Sequence, residues 1–286
     1  MGILPDIPVF AAFFRLAPSW YDESIWQMAS MVKGDDCMLT AYLWGLEGHI
    51  YPALAIFLAA VLQSITGFGL VIVAAPLLML FYDPKLTVPV MLMLACCANL
   101  AQGVFALRTA NRKLVLYLYL GVLCGQPIGF FVFDHASSAA LKVFISVIVL
   151  LSLGTIQALH YRIRECPRNS WITGIFSGFT SITAGMGGPP FLIYLAYSKM
   201  PIEVMRATCF VFFFLCNATS LTSYALGGLS FGPAWNEFIY LLPALALGIV
   251  SGHLAYPHVP KDFVRRLIYV LLYLTCFYTI ATVLLD

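Results

Sequence analysis

The chain has 286 residues, of which 62% are hydrophobic and 10% charged, with a formal net charge of +2. A soluble domain runs nearer roughly half apolar and about a quarter charged, because much of its surface must face water. The composition therefore excludes an ordinary soluble core, and charges scattered in short clusters exclude a nucleic-acid footprint.

Residues 1–50 carry two basic side chains (Arg15, Lys33) and six acidic ones (Asp6, Asp22, Glu23, Asp35, Asp36, Glu47). The stretch "IPVFAAFFRLAP" lacks the basic opening of a signal peptide and contains Arg15, which suits an interfacial position better than a crossing. Past this region, a spanning helix needs about 20 apolar residues. Six runs fit: 87–107, 113–133, 139–159, 206–226, 234–253 and 264–284.

Two other apolar stretches, 52–82 and 171–199, are broken near their middles. The first breaks at Gly67-Phe68-Gly69, the second at "AGMGGPP", residues 184–190. The pieces are about 10–14 residues, reaching about 15–21 Å at the helical rise. That is short of a hydrocarbon core about 30 Å thick. Each stretch is read as a hairpin of two half-helices, or else as one long kinked helix.

Charge placement chooses between these. Arg108, Arg112 and Lys113 form one basic loop; Arg162, Arg164 and Arg168 form another; Lys261, Arg265 and Arg266 form a third. Short basic loops stay on the cytoplasmic side. All three share a face only if the second broken stretch returns to the side it entered from, as a hairpin does. Lys199 and Arg206 agree with that return. By symmetry the acidic N-terminal region lies outside. The expected organisation is an interfacial region 1–50, a first transmembrane repeat 51–159, a basic cytoplasmic linker 160–170 and a second repeat 171–286.

The halves share a grammar: a broken stretch, then three crossings. "SITG" at 64–67 matches "SITA" at 181–184, Pro84 matches Pro201, and Asn99 and Asn217 follow similar apolar runs. The expected fold is thus an all-α polytopic membrane protein of two inverted repeats, each a Gly-broken hairpin followed by three transmembrane helices. Inverted repeats with discontinuous helices recur in secondary transporters.

A helix break within hydrocarbon is tolerated only where protein, water or ligand lines it. The restarting half-helix offers free N–H groups and the positive end of its dipole, which together favour an anion. Gly67, Phe68 and Gly69 supply one lip; Gly185, Met186, Gly187 and Gly188 supply the other. Pro189 and Pro190 suit the first turn of the restarted helix. The alternative is that these glycines only permit close packing. Gln63, Ser64 and Thr66 precede the first break, and Ser181 and Thr183 the second. Gln102, Gln126, Thr219 and Ser220 lie on or near crossings with Asn99 and Asn217, and either complete the site or bond helix to helix. Arg206, at an inner boundary, snorkels, pairs with Glu203, or balances an anion as a vestibule or gating residue.

Other chemistry is weakly represented. Cys96, Cys97, Cys124, Cys209, Cys216 and Cys276 lie in apolar runs as small hydrophobes, without C-x2-C spacing, so neither a metal nor another cofactor is expected. His49, His135, His160, His253 and His258 fall near segment ends and read as interfacial. Trp44, Trp171 and Trp235 read as interfacial anchors.

The stretches "LQSITGFGLVIVAAPLLMLFYDP" (62–84) and "GIFSGFTSITAGMGGPPFLIYLAYSKMPIEVMRAT" (174–208), with the terminal "RRLIYVLLYL", resemble the sulfite exporter TauE/SafE (TSUP) family over roughly residues 50–284. The resemblance implies a carrier of small sulfur-containing or organic anions, such as sulfite or sulfoacetate. It carries Gly67, Gly69, Gly187, Gly188, Pro189, Pro190, Arg206, Ala207 and Thr208 into the motif positions. The first motif here is Gly-Phe-Gly-Leu, where many members have further glycines. The expected function is an oxyanion exporter working by alternating access in the plasma (inner) membrane, not an enzyme. An anion channel, a scaffold and a membrane enzyme are the alternatives. The expected partners are the anion and membrane lipids, with homodimerisation open and no nucleic acid.

Overall fold

The computed structural model describes residues 49–66, 70–158, 166–195, 200–255 and 261–285. These form helices in chain order: α1 (Ile50–Thr66), α2 (Leu70–Leu78), α3 (Pro84–Ala106), α4 (Arg112–His135), α5 (Ser138–Ala158), α6 (Pro167–Ala184), α7 (Gly188–Leu195), α8 (Ile202–Leu226), α9 (Gly232–Ala255) and α10 (Lys261–Leu285). There is no strand among the described residues. The expected acidic region, the Gly67–Gly69 lip, most of the basic linker and the side chain of Thr66 lie outside them.

Local chemistry sets the boundaries. Pro84 opens α3, and the Asp83 carboxylate accepts from the Lys85 amide at 2.9 Å. Asn111 caps α4 by accepting from the Leu114 amide at 3.2 Å. Such caps satisfy amides that a helix start leaves unpaired.

Five helices are long and apolar enough to cross a membrane, from Pro84–Gly103, Arg112–His135, Ser138–Thr155, Glu203–Leu226 and Gly232–Ala255. The expected sixth, α10, is a 25-residue helix whose apolar segment runs Leu272–Val283. Outward faces carry large apolar side chains, among them Leu58, Leu120, Phe131, Leu151, Leu247 and Phe277. Water would penalise such a belt, whereas lipid accepts it.

The broken stretches differ in proportion from the expectation of equal half-helices. Their first arms have 17 and 18 residues, their second arms 9 and 8. The cause lies after the second arms. Met79–Tyr82 is apolar but turns, because Asp83-Pro84 already starts α3.

Packing pairs the two sets of five helices reciprocally. Helix α4 lies on α6 and α9 on α1; α4 meets α8 and α9 meets α3; α7 meets α5 and α2 meets α10. Exchanging the halves turns each pair into its counterpart, and α3–α8 and α5–α10 into themselves. The closest crossing joins α4 to α6. Gly121, Gly125 and Gly129 line one face of α4, and Gly174 and Gly178 the facing side of α6. A side chain on Gly121, Gly125 or Gly174 would overlap the partner's backbone. Gly248 and Gly252 bring α9 onto α1 less closely: a Cβ at Gly248 would lie 2.6 Å from the Phe57 carbonyl. Small residues allowing backbones to approach is how membrane helices gain dispersion contacts without a hydrophobic drive.

Candidate functional site

The second break is built as its Gly and Pro residues suggested. Helix α6 ends at Ala184, and Gly185 takes φ 69°, the left-handed conformation that glycine adopts without a Cβ penalty. Its amide and that of Met186 both turn back to the Thr180 carbonyl. Helix α7 restarts at Gly188, with Pro189 and Pro190 in its first turn, where an absent N–H costs least.

This lip is deeply buried. Gly185 approaches Val71 of α2 and Met91 of α3, and Gly188 approaches Ile72 and Phe213. A Cβ on Gly187 would lie 3.2 Å from Cys216 Sγ and 3.4 Å from Ser181 Cβ. A polar cluster flanks this point. Gln126 Nε2 donates to Ser220 Oγ at 2.8 Å and to the Cys216 carbonyl at 3.0 Å. Ser220 and Ser181 hydroxyls share a bond of 3.0 Å. The Gln126 side-chain oxygen and the Ser177 hydroxyl are buried without a hydrogen-bond partner. Beyond the cluster, Tyr224 donates to the Ile182 carbonyl, one of the last carbonyls that the end of α6 leaves unpaired. Its ring packs against Phe130 and Phe133, with centroids 6.0 and 4.9 Å away.

The first break's flanking residues are placed differently. Gln63, Ser64 and Asn99 are buried, and Gln63 Oε1, Ser64 Oγ and Asn99 Oδ1 have no hydrogen-bond partner. Ser64 also lines a partly open cleft of about 270 Å³, together with Gln102, Arg206, Ile249, Val250, His253 and Leu254. The end of α1, the last turns of α3 and α9, and the first turn of α8 converge there.

Of the expected site residues, the fold thus brings Ser64 and Arg206 into one cleft, and Ser181 and Gly187 into a separate buried cluster. Thr183 donates to the Phe179 carbonyl at 2.7 Å within its own helix, and so satisfies itself. Asn217 is buried on α8, the helix that packs on the Asn99-bearing α3. Thr208 accepts from the Asn111 amide at 3.0 Å, tying the α3–α4 turn to α8. Ser177 escaped sequence reasoning; its position one helical turn before Ser181 was the available signal. Gln126 and Ser220 were legible as polar residues on crossings, but their pairing was not. No group of three or more His, Cys, Asp or Glu side chains suited to a metal occurs among the described residues.

Away from the breaks, Glu237 joins three segments. It accepts from the Tyr82 hydroxyl at 2.6 Å and meets His49 Nε2 at 3.1 Å. His49 stacks on Tyr240 at 4.6 Å. Burial, then the bond to Glu237 and its negative charge, push the Tyr82 hydroxyl well above its ordinary pKa.

The chain matches no curated protein and no solved structure. A family model described as "Sulfite exporter TauE/SafE" matches residues 52–279, which takes in both broken stretches and all the long helices. The apolar helices make the chain an integral membrane protein, and that match makes it a member of the sulfite exporter TauE/SafE family.

Proposed function

We propose that the chain exports a small oxyanion, sulfite or an organosulfonate such as sulfoacetate, across the plasma membrane by alternating access. The observation that carries the reading is the pair of broken helices in matching halves of a sulfite-exporter-family chain. Each break leaves amides that a desolvated anion can use, without a buried cation. The halves are read as inverted, so rocking one against the other changes which face reaches the breaks. The substrate contacts are assigned to Gly67, Phe68, Gly69, Gly185, Met186, Gly187 and Gly188, with the side chains of Gln63, Ser64, Thr66, Asn99, Ser181, Thr183 and Asn217 around them. Arg206 is assigned to the vestibule. No covalent step is required. An inside-negative potential drives an anion outward with about 2.3 kcal/mol per charge for each 100 mV.

The test is flux into proteoliposomes, comparing sulfite, sulfoacetate, thiosulfate, sulfate and simple carboxylates. Sulfite or sulfoacetate should move fastest. Gly187→Val and Gly188→Val should stop that flux while leaving a monodisperse, folded protein. Undiminished flux in both variants would remove the lip from the mechanism.

A further inference from the structure

The cleft at the first break has a lining that selects among the anions left open above. Ser64 Oγ is buried there without a hydrogen-bond partner. Buried helical hydroxyls ordinarily bond to a carbonyl of the preceding turn, as Thr183 and Ser220 do here. Arg206 brings a fork of N–H donors and a fixed positive charge. Gln102 spends one donor on the Ala98 carbonyl, at 3.1 Å, and keeps its remaining amide capacity. His253 adds a ring nitrogen, and no carboxylate lines the cleft. Donors therefore outnumber acceptors, which calls for an acceptor-rich anion. The opposite wall is apolar, formed by Ile249, Val250 and Leu254.

The matching positions in the other half show what these groups do when no ligand is wanted. Counted from the matched motifs, Ser64 corresponds to Ser181, and Gln102 corresponds to Ser220. Ser181 and Ser220 bond to one another and Gln126 bonds to Ser220, so that position closes on itself. Seven residues past the paired asparagines stands Tyr224 in the second half and Ala106 in the first. The plug that covers one position has no counterpart in sequence at the other.

We propose that this cleft is a docking site for a short-chain organic sulfonate, with the sulfonate oxygens on Ser64, Gln102 and Arg206 and the carbon chain against the Ile249–Leu254 wall. The assignment rests on the carrier reading and narrows its substrate. Sulfite or sulfate fills only the polar end; a carbon chain also removes the apolar wall from water, at roughly fourfold in affinity per methylene buried.

The test uses a Leu254→Cys reporter at the rim, in the full-length protein purified in detergent. Labelling by a thiol reagent is read by mass spectrometry of that peptide, which sets the native cysteines aside. Ethanesulfonate should slow labelling at a concentration about fourfold or more below that of sulfate, with acetate weaker than both. Arg206→Gln should weaken the protection about tenfold, the scale of one charge-assisted hydrogen bond. Should that variant not fold, Gln102→Leu should weaken it severalfold. Equal protection by ethanesulfonate and acetate, protection by an anionic phospholipid but not by ethanesulfonate, or protection untouched by either folded variant would overturn the proposal. Proteoliposome flux separates the two readings. Protection without flux of any anion keeps the docking site and removes the carrier; flux without protection does the reverse.

Discussion

The two breaks are made from similar sequence and end in opposite circumstances. At the second, every approach is filled: Ser181, Ser220 and Gln126 bond to one another, and Tyr224 closes over the Ile182 carbonyl. At the first, Ser64 faces a cleft and three buried polar atoms on Gln63, Ser64 and Asn99 stay unpaired. Buried polar groups are costly unless partnered. The second position has built its partners into the protein, and the first has left them to come from outside. In a carrier with two related halves, that asymmetry is what one face open and the other shut requires.

The comparison can be tested by disturbing each half in turn. The largest effect is expected at the α4–α6 crossing. Gly125→Leu drives a side chain into the Ile175 backbone, which cannot yield as a side chain would. It should cost more than about 3 kcal/mol and leave little monodisperse protein on size-exclusion chromatography. Gly248→Leu, at the looser α9–α1 crossing, should cost about 1–3 kcal/mol and lower the melting temperature in detergent. Equal losses would mean that the two crossings are alike after all.

Next in size is the closed polar cluster. Gln126→Leu removes donors from Ser220 Oγ and the Cys216 carbonyl and should cost about 1–3 kcal/mol. It should also raise thiol reactivity at an introduced Ser223→Cys, since the shut side loosens. Gln102→Leu at the open side should leave melting within about 0.5 kcal/mol. Smaller again is Glu237→Gln, which weakens the link to His49 and Tyr82 and should cost about 1 kcal/mol.

The smallest effect is one of pH. Tyr82 holds its proton more tightly folded than unfolded, so its contribution is present below its ordinary value of 10.0 and is lost as pH rises past it. Melting curves between pH 8 and about 11 should fall more steeply for the wild type than for Tyr82→Phe. Parallel curves would separate Tyr82 from Glu237.

Much of the architecture was legible because the bilayer writes it in long apolar runs. The run 113–133 became α4, Arg112–His135, and 234–253 became α9, Gly232–Ala255. The arms of the hairpins were harder. Leu78 ends α2 although Met79, Leu80 and Phe81 continue the apolar pattern, and hydropathy alone cannot see a turn among such residues. The second lip was readable from Gly185 and Pro189 because their backbone demands are local. The bond from Gln126 to Ser220 spans 94 residues, and nothing within either segment announces it. His253, taken as interfacial, lines the cleft because Gly252 lets α9 settle against Ser64. That too depends on a partner distant in sequence.

The glycine faces of α4 and α6 bear on movement as well as on proximity. Interlocked side chains act as teeth: they hold a register, and a helix must climb over them to slide. A surface of bare backbone at Gly121, Gly125, Gly174 and Gly178 has few teeth. It resists being pulled apart, since dispersion falls steeply with separation, but it offers little resistance to axial slip. The tightest seam in the molecule is thereby suited to serve as a bearing, letting the second hairpin glide along α4 while the two stay in contact.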